Sequence, residues 1–275
     1  MIRRLALVAA RSTPECIKRW VHRHRLLGRL SRKTFSVLAR AEGEVVEIPS
    51  GPMRGIRLAL GEHVSHAHIA GTYEVRTLAA IDALVRPGCV CYDLGASIGY
   101  MSLLMARKAR HVYAFEPAPH AAAEIRRQAA VNGFDNITVV PSPVSDCEKT
   151  VTFSLTDVAY GSAIVDGESK WPTLKLTTLR LDDFVRANPA PDFLKIDVEG
   201  EEARVLLGAA SLLEQHGPAI CCELHSNALA EEVVSILTAH GYRLSALDGG
   251  DFRIPERIVA GSVHVVARSA VRRPD

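Results

Sequence analysis

The sequence predicts an α/β fold with a doubly wound, mostly parallel sheet and one antiparallel strand near the C-terminus. From residue 89 onward, short apolar β-prone runs alternate with helical patterns, as expected for parallel strands joined by helices. A glycine-containing turn follows the first of these strands. The last two β-prone runs are joined by a stretch with little helical pattern, which indicates antiparallel pairing.

Each element follows from its local pattern. Two β-prone runs flank Pro49-Ser50-Gly51-Pro52, which predicts a hairpin over residues 44–60, and a helix should follow over 72–85. Further strands are predicted at 89–94, 111–115, 137–140, 193–196, 219–224, 242–247 and 262–267, and helices at 100–108, 119–132, 201–207 and 228–240. Runs 150–155 and 173–179 should pair antiparallel across a Gly/Ser/Asp-rich loop.

The charge distribution sets the N-terminal segment apart. Residues 1–40 contain eleven Lys or Arg and one acid, although the whole chain has a net charge of +2. We predict a basic helical extension over 1–43 and a second domain over 44–270, with a lead-in over 44–88 and a Rossmann-like core over 89–270. The extension could cap the main domain or contact an anionic membrane surface. The apolar stretch at 5–10 is short for a secretory signal. We therefore expect a cytoplasmic protein, with peripheral membrane contact as the open alternative.

Cysteines and histidines give no reason to predict a metal. The cysteines at 89, 91, 221 and 222 lie in apolar strand runs and should be reduced core residues. His63, His66 and His68 have a spacing that could bind a metal, but a polar loop is the expected interpretation. Asp197, Glu199 and Glu223 are a conceivable metal set, which we do not predict.

The strongest motif is the turn Asp93-Leu94-Gly95-Ala96-Ser97-Ile98-Gly99, which follows a strand and opens a helix. Glycines allow a tight turn and a close approach to a ligand at the carboxyl end of a parallel strand. A dinucleotide site would have glycine at the position of Asp93, where a carboxylate would repel a pyrophosphate. The turn therefore favours a ligand that carries an ammonium group.

A second acid supports this interpretation. Glu116 follows the next strand, 21 residues after Gly95, where a carboxylate can accept hydrogen bonds from both hydroxyls of a ribose. Together, the turn and the acid predict a site for S-adenosylmethionine (SAM), whose methionine end carries an ammonium group.

The chain resembles the FkbM family of SAM-dependent methyltransferases over roughly residues 44–247. The resemblance rests on the runs 92–100 (YDLGASIGY), 113–117 (YAFEP) and 194–200 (LKIDVEG), with shorter matches at 71–74, 144–146 and 179–182. It implies the class I methyltransferase fold, SAM as the cofactor and methylation of a hydroxyl on a sugar, glycan or polyketide-like natural product. Residues 1–40 lie outside it.

The resemblance also implies roles for individual residues. Those expected to contact SAM are Asp93, Gly95, Ala96, Ser97 and Gly99 at the methionine end, Glu116 at the ribose, Asp146 near the adenine and Glu74 closing over the cofactor. The family commonly has Asn where this chain has Ser97.

The acceptor is expected at the ends of the next two strands. Asp197 and Glu199 should lie at the carboxyl edge of one strand. Glu223 and His225 end the other strand and are two residues apart, so both could face the same side. Transfer to a hydroxyl needs alignment and removal of a proton. We expect His225, or else Asp197 or Glu199, to be the general base, and Glu223 and Tyr160 to contact the substrate.

Two other classes of function compete with this interpretation. The Asp at the first glycine position argues against an NAD-dependent oxidoreductase. A non-catalytic SAM-binding or membrane-associated scaffold of a biosynthetic complex stays open. Nucleic acid is disfavoured because the basic charge is confined to the N-terminal segment. The sequence predicts neither the acceptor nor the oligomeric state.

Overall fold

The chain divides into two compact units, Met1–Val75 and Arg76–Asp275. The computed structural model describes residues 44–156, 161–258 and 262–269, so the extension predicted for 1–43 lies outside the described residues. Within those residues, no helix is both long enough and apolar enough to cross a membrane.

The first unit contains the predicted hairpin and an unpredicted helix. Strands β1 (Val45–Glu47) and β2 (Arg57–Ala59) pair antiparallel, as expected. Helix α1 (His66–Ala70) occupies the segment expected to be a polar loop, and that prediction was wrong. The Ser65 amide donates to Nδ1 of His68 at 3.0 Å, and burial lowers the pKa of His68 to about 4. With Ser65 as the N-cap, this neutral and buried histidine completes the capping box of its own helix.

The second unit contains the alternating elements that the sequence predicts, with a few additions. Its strands are β3 (Val90–Leu94), β4 (His111–Phe115), β5 (Ile137–Val140), β6 (Thr150–Ser154), β7 (Ala163–Ile164), β8 (Thr173–Thr177), β9 (Phe193–Ile196), β10 (Ala219–Leu224), β11 (Tyr242–Ser245) and β12 (Val263–Ser269). The helices from the unit boundary onward are α2 (Val75–Leu84), α3 (Tyr100–Ala106), α4 (Pro119–Asn132), α5 (Leu181–Phe184), α6 (Glu202–Leu207), α7 (Ala210–His216) and α8 (Asn227–Ala239). Strand β7 and helices α5 and α7 were not predicted.

The main sheet of the described residues has the strand order β11-β12-β10-β9-β3-β4-β5. Neighbouring strands from β10 to β5 are parallel, and β12 pairs antiparallel with both β10 and β11. This is the predicted parallel sheet with one antiparallel strand inserted near the C-terminus. The parallel strands therefore present their carboxyl ends at one edge, where ligands bind in such sheets.

The core of the second unit lies on both faces of this sheet. Every residue of β3 is buried, and Tyr92 packs edge-on against Tyr113 and Phe184, with ring centroids 5.3 and 5.6 Å away. The cysteines at 89, 91, 221 and 222 are buried free thiols, as expected. A fully buried strand next to the glycine turn gives that turn a rigid base.

A small second sheet stands beside the carboxyl edge. Strand β6 pairs antiparallel with β8, as predicted, and also with the two-residue strand β7. Phe153 of β6 and Ile164 of β7 pack in one apolar cluster with Ala118 and Ala121. Segment 161–164, from the predicted Gly/Ser/Asp-rich loop, is therefore held near the carboxyl end of β4.

Candidate active site

An open cleft of about 720 Å³ lies at the carboxyl ends of β3, β4, β5 and β9. The lining includes Gly95 and Ser97, Glu116, the segment 142–144 after β5, and both Asp197 and Glu199. The structure thus brings the motifs at the ends of four strands to one cavity.

The glycine loop, residues 95–99, is held in an unusual backbone conformation. Gly95, Ser97 and Gly99 have φ values of 73°, 51° and 82°, in the left-handed region. A Cβ on Gly95 would lie 1.8 Å from the carbonyl oxygen of Asp197, so that only glycine fits there. The amides of Gly95 and Ala96 both donate to the carbonyl of Phe115, at 3.0 and 3.1 Å. The loop is therefore fixed between β4 and the turn after β9.

Glu116 closes the other side of the glycine loop. One carboxylate oxygen accepts from the Ser97 amide at 2.8 Å, and the other accepts from the Ala118 amide at 2.9 Å. Burial raises the pKa of Glu116 to about 7, although the two backbone hydrogen bonds favour the ionised form. A carboxylate accepts about four hydrogen bonds, so both oxygens can still accept from ligand hydroxyls.

Asp93 lies beneath the loop with no exposed surface. The Ser102 hydroxyl donates to one carboxylate oxygen at 2.5 Å, and the other oxygen is 3.5 Å from the ammonium of Lys195. The expected contact between Asp93 and the ammonium of a ligand stays a prediction. The structure also gives Asp93 a partner inside the protein.

Lys195 links the two sides of the cleft. Its buried ammonium donates to the carbonyl of Gly95 at 2.8 Å and to the carboxylate of Asp197 at 3.2 Å. Burial alone would lower the pKa of Lys195, but the charges of Asp197 and Asp93 raise it above its usual value. Sequence reasoning missed this residue. Its signal was a lone lysine inside an apolar strand run, where a charge needs a partner.

The residues predicted to contact the acceptor form an acidic wall, which consists of Asp197, Glu199, Glu223 and His225. Nε2 of His225 lies 3.6 Å from an oxygen of Asp197 and 3.6 Å from one of Glu199, and 3.9 Å from one of Glu223. The sequence prediction that these four side chains lie together is therefore matched by the geometry. Carboxylate oxygens of Asp197 and Glu223 and a ring nitrogen of His225 lie within 4.8 Å of one another.

Glu202, which sequence reasoning missed, stands behind this wall. Nδ1 of His225 lies 3.1 Å from its fully buried carboxylate. That hydrogen bond, with the charges of Glu202, Asp197 and Glu199, raises the pKa of His225 to about 9 against the effect of burial. His225 is therefore a cation at neutral pH. An acid at the first position of a helix is common on a surface, so no sequence pattern indicates that Glu202 is buried.

Two of the acids near His225, Asp197 and Glu223, differ in their surroundings. Burial and the charge of Glu223 raise the pKa of Asp197 to about 6, although the charge of Lys195 opposes them. Burial acts on Glu223 in the same direction, but His264, 3.3 Å away, and the Ser262 hydroxyl lower its pKa to about 2. Of these two acids, Asp197 therefore has the pKa nearer to neutral.

Several predicted residues lie elsewhere. Asp146 is outside the lining of the cleft and pairs with Lys149 at 3.0 Å, and Ala96 is buried within the glycine loop. Glu74, with φ at 39°, belongs to the first unit. Tyr160 lies outside the described residues. The contacts expected of these four residues stay predictions.

The donor set of the cleft fits the parts of SAM. The carboxylate of Glu116 would hold the ribose hydroxyls, and the glycine loop with Asp93 beneath it would hold the methionine end. Pro143, Val144 and Phe153 supply apolar surface next to these groups, against which the adenine ring of SAM could pack.

The mostly parallel sheet has an inserted antiparallel strand, a glycine loop after β3 and an acid, Glu116, after β4. Together these features define the class I methyltransferase fold. The model of the family described as the methyltransferase FkbM domain matches residues 93–244, more than half of the chain. The chain therefore belongs to the FkbM methyltransferase family, whose cofactor is S-adenosylmethionine.

Two methyltransferases are similar to this chain at low sequence identity. The hexuronic acid methyltransferase AglP of Haloferax volcanii is 27% identical over 160 residues, which cover 54% of this chain and 61% of the relative. The 31-O-demethyl-FK506 methyltransferase FkbM of Streptomyces tacrolimicus is 29% identical over 200 residues, covering 59% of this chain and 75% of the relative. The chain thus spans about three fifths of the length of the hexuronic acid enzyme.

Among solved structures, an FkbM methyltransferase from Methylobacillus flagellatus KT is similar at 17% identity with a TM-score of 0.44. That match covers 74% of this chain and 55% of the solved one.

Proposed function

We propose that this chain is a SAM-dependent O-methyltransferase that acts on a hydroxyl of a sugar, glycan or polyketide-like natural product. The observation that carries the proposal is the acidic wall, because Asp197 and Glu199 line the same cleft as the glycine loop and Glu116. Acceptor and cofactor would therefore meet in one cavity. The names of two relatives, one acting on a hexuronic acid and one on FK506, support the class of acceptor.

In this reaction the bound cofactor supplies an electrophilic methyl group and leaves as S-adenosylhomocysteine. The chain must hold the acceptor oxygen in line with that methyl and take up the hydroxyl proton as the new C–O bond forms. Asp197 is the side chain best suited to receive the proton, because it lines the cleft and its pKa lies near neutral. His225, the other candidate base, already carries a proton at neutral pH.

The test is methyl transfer by the full chain to a panel of hydroxyl compounds, with S-adenosylhomocysteine as the measured product. The panel includes a hexuronic acid, a neutral methyl glycoside and a substituted cyclohexanol. Asp197→Asn should lower turnover by roughly 10²–10⁴-fold, the usual contribution of a general base, and leave SAM affinity within a few-fold.

Two results would count against the proposal. An Asp197→Asn variant with full turnover would move the proton acceptor to Glu199 or His225. Binding of SAM without product from any hydroxyl acceptor would favour the scaffold function instead.

A further inference from the structure

Glu202 begins helix α6 and is the acid buried most deeply behind the acidic wall, with 0% of its surface exposed. The amide of Val198 donates to one of its carboxylate oxygens at 3.1 Å, and the amide of Gly200 donates to the other at 3.1 Å. Nδ1 of His225 lies 3.1 Å from the oxygen that Val198 also contacts. A single buried carboxylate therefore contacts both the turn after β9 and the histidine after β10.

The turn that Glu202 holds is strained. Glu199 has a φ of 54° and Gly200 a φ of 111°, and the first is unfavourable for a residue with a side chain. Hydrogen bonds from the amides on either side of Glu199 to a buried anion offset this cost. The carboxylate of Glu199 therefore stays in the lining of the cleft, where it accepts a hydrogen bond from the amide of Gly161 at 3.1 Å.

The same carboxylate determines how His225 faces the cleft. With Nδ1 directed at Glu202, Nε2 is directed toward Asp197, Glu199 and Glu223. The groups behind these acids are the ammonium of Lys195 on β9, next to Asp197, and the imidazole of His264 on β12, next to Glu223. Four carboxylates thus lie within 3.9 Å of one imidazole among the described residues, and they favour its protonated form.

We propose that Glu202 is a positioning residue of the acidic wall, which fixes the ring of His225 through Nδ1 and keeps it as a cation that donates from Nε2 toward Asp197 and Glu199. In this arrangement His225 orients the two carboxylates that face the acceptor and is not the proton acceptor. The catalytic meaning of this role rests on the proposed function, but the arrangement itself can be tested without an acceptor.

The experiment is an NMR titration of the histidine rings in the full chain, with the His225 signal assigned by its loss in His225→Gln. The wild type should titrate at His225 near a pKa of 9. Glu202→Gln keeps the shape of the side chain and removes its charge, and should lower the pKa of His225 by about 1–3 units. Glu202→Asp keeps the charge and should retain most of the shift.

The matched control is Asp182→Asn. Asp182 is also a buried acid that accepts backbone amides, from Ser211 and Leu212 at 3.1 and 2.9 Å, but it does not contact His225. This variant should leave the His225 titration unchanged. An unchanged pKa in Glu202→Gln would overturn the proposal.

The wild-type titration decides the question even if Glu202→Gln does not fold, because a His225 pKa at or below the usual 6.5 would also overturn the proposal. Once an acceptor is known, Glu202→Gln should move the basic limb of the kcat–pH profile to lower pH, in parallel with the NMR shift. Failure of the proposed function appears separately, as the lack of S-adenosylhomocysteine formation.

Discussion

On the glycine-loop side of the cleft, the contacts are made largely by backbone amides, whereas the acidic wall keeps its arrangement through charged side chains that contact one another. Glu116 accepts two amide hydrogen bonds, and the amides of Gly95 and Ala96 in the loop donate to the carbonyl of Phe115. The wall instead combines three acids with His225, and Lys195 and Glu202 support it from behind. The first side is defined by local backbone geometry and the second by electrostatic balance, so they should respond differently to mutation.

The largest effect is expected where the two sides are joined, at Lys195. Lys195→Met would leave the buried carboxylate of Asp93 and the half-buried carboxylate of Asp197 without their shared cation. Removal of one partner from a buried ion pair costs about 3–5 kcal/mol in the free energy of unfolding. Denaturant unfolding measures this cost.

Lys149→Met is the control for Lys195→Met. Lys149 pairs with Asp146 near the surface, where side-chain exposures of 34% and 31% predict a loss of less than about 1 kcal/mol. Equal losses of unfolding free energy in the two variants would contradict the claim that Lys195 stabilises the site through buried ion pairs.

A smaller effect, confined to the backbone, is expected at Gly95. Gly95→Ala combines a left-handed φ of 73° with a clash against the carbonyl of Asp197, so it should destabilise the second unit by more than about 2 kcal/mol. Gly88→Ala has a similar φ of 79° and no atom within 4 Å of the new Cβ, so it isolates the cost of the backbone conformation. Thermal unfolding should place Gly95→Ala well below Gly88→Ala, and equal melting temperatures would show that the close approach has no energetic weight.

The same contrast explains what the sequence could predict. The alternation of strands and helices, the antiparallel β12 and the glycine loop with Glu116 follow from spacing along the chain, and the structure confirms the fold. Strand β7 has two residues and exists because it pairs with β6, so its own sequence contains no strand pattern. Helix α1 has only five residues, and His68 stands at the capping-box position where Glu or Gln is usual, so the sequence does not show the usual start signal.

Lys195 and Glu202 were missed for a related reason. Lys195 lies directly opposite Asp93 in the register of β9 and β3, although the two residues are about a hundred positions apart in the chain. Glu202 acquires its role only because β10 brings His225 next to the start of α6. The sequence places acids at strand ends, but the sheet register decides which charges meet.

The smallest of these effects is expected at Glu116, where a single charge is removed without a change of shape. Glu116→Gln should weaken binding of S-adenosylhomocysteine by roughly tenfold to a hundredfold, since hydrogen bonds to a charged group contribute about 1.5–3 kcal/mol. The wild-type affinity should rise as the pH increases through 7, because the ionised carboxylate is the better acceptor for ribose hydroxyls and its pKa is about 7. This pH dependence should disappear in the variant.

The most direct test of the central claim, that this cleft is a SAM site, is titration calorimetry of the full chain with SAM, S-adenosylhomocysteine and NAD, for the wild type and Glu116→Gln. The account predicts saturable binding of the first two ligands, none of NAD, and weaker binding of both in the variant. Binding of NAD, or equal affinity for SAM in wild type and variant, would contradict it.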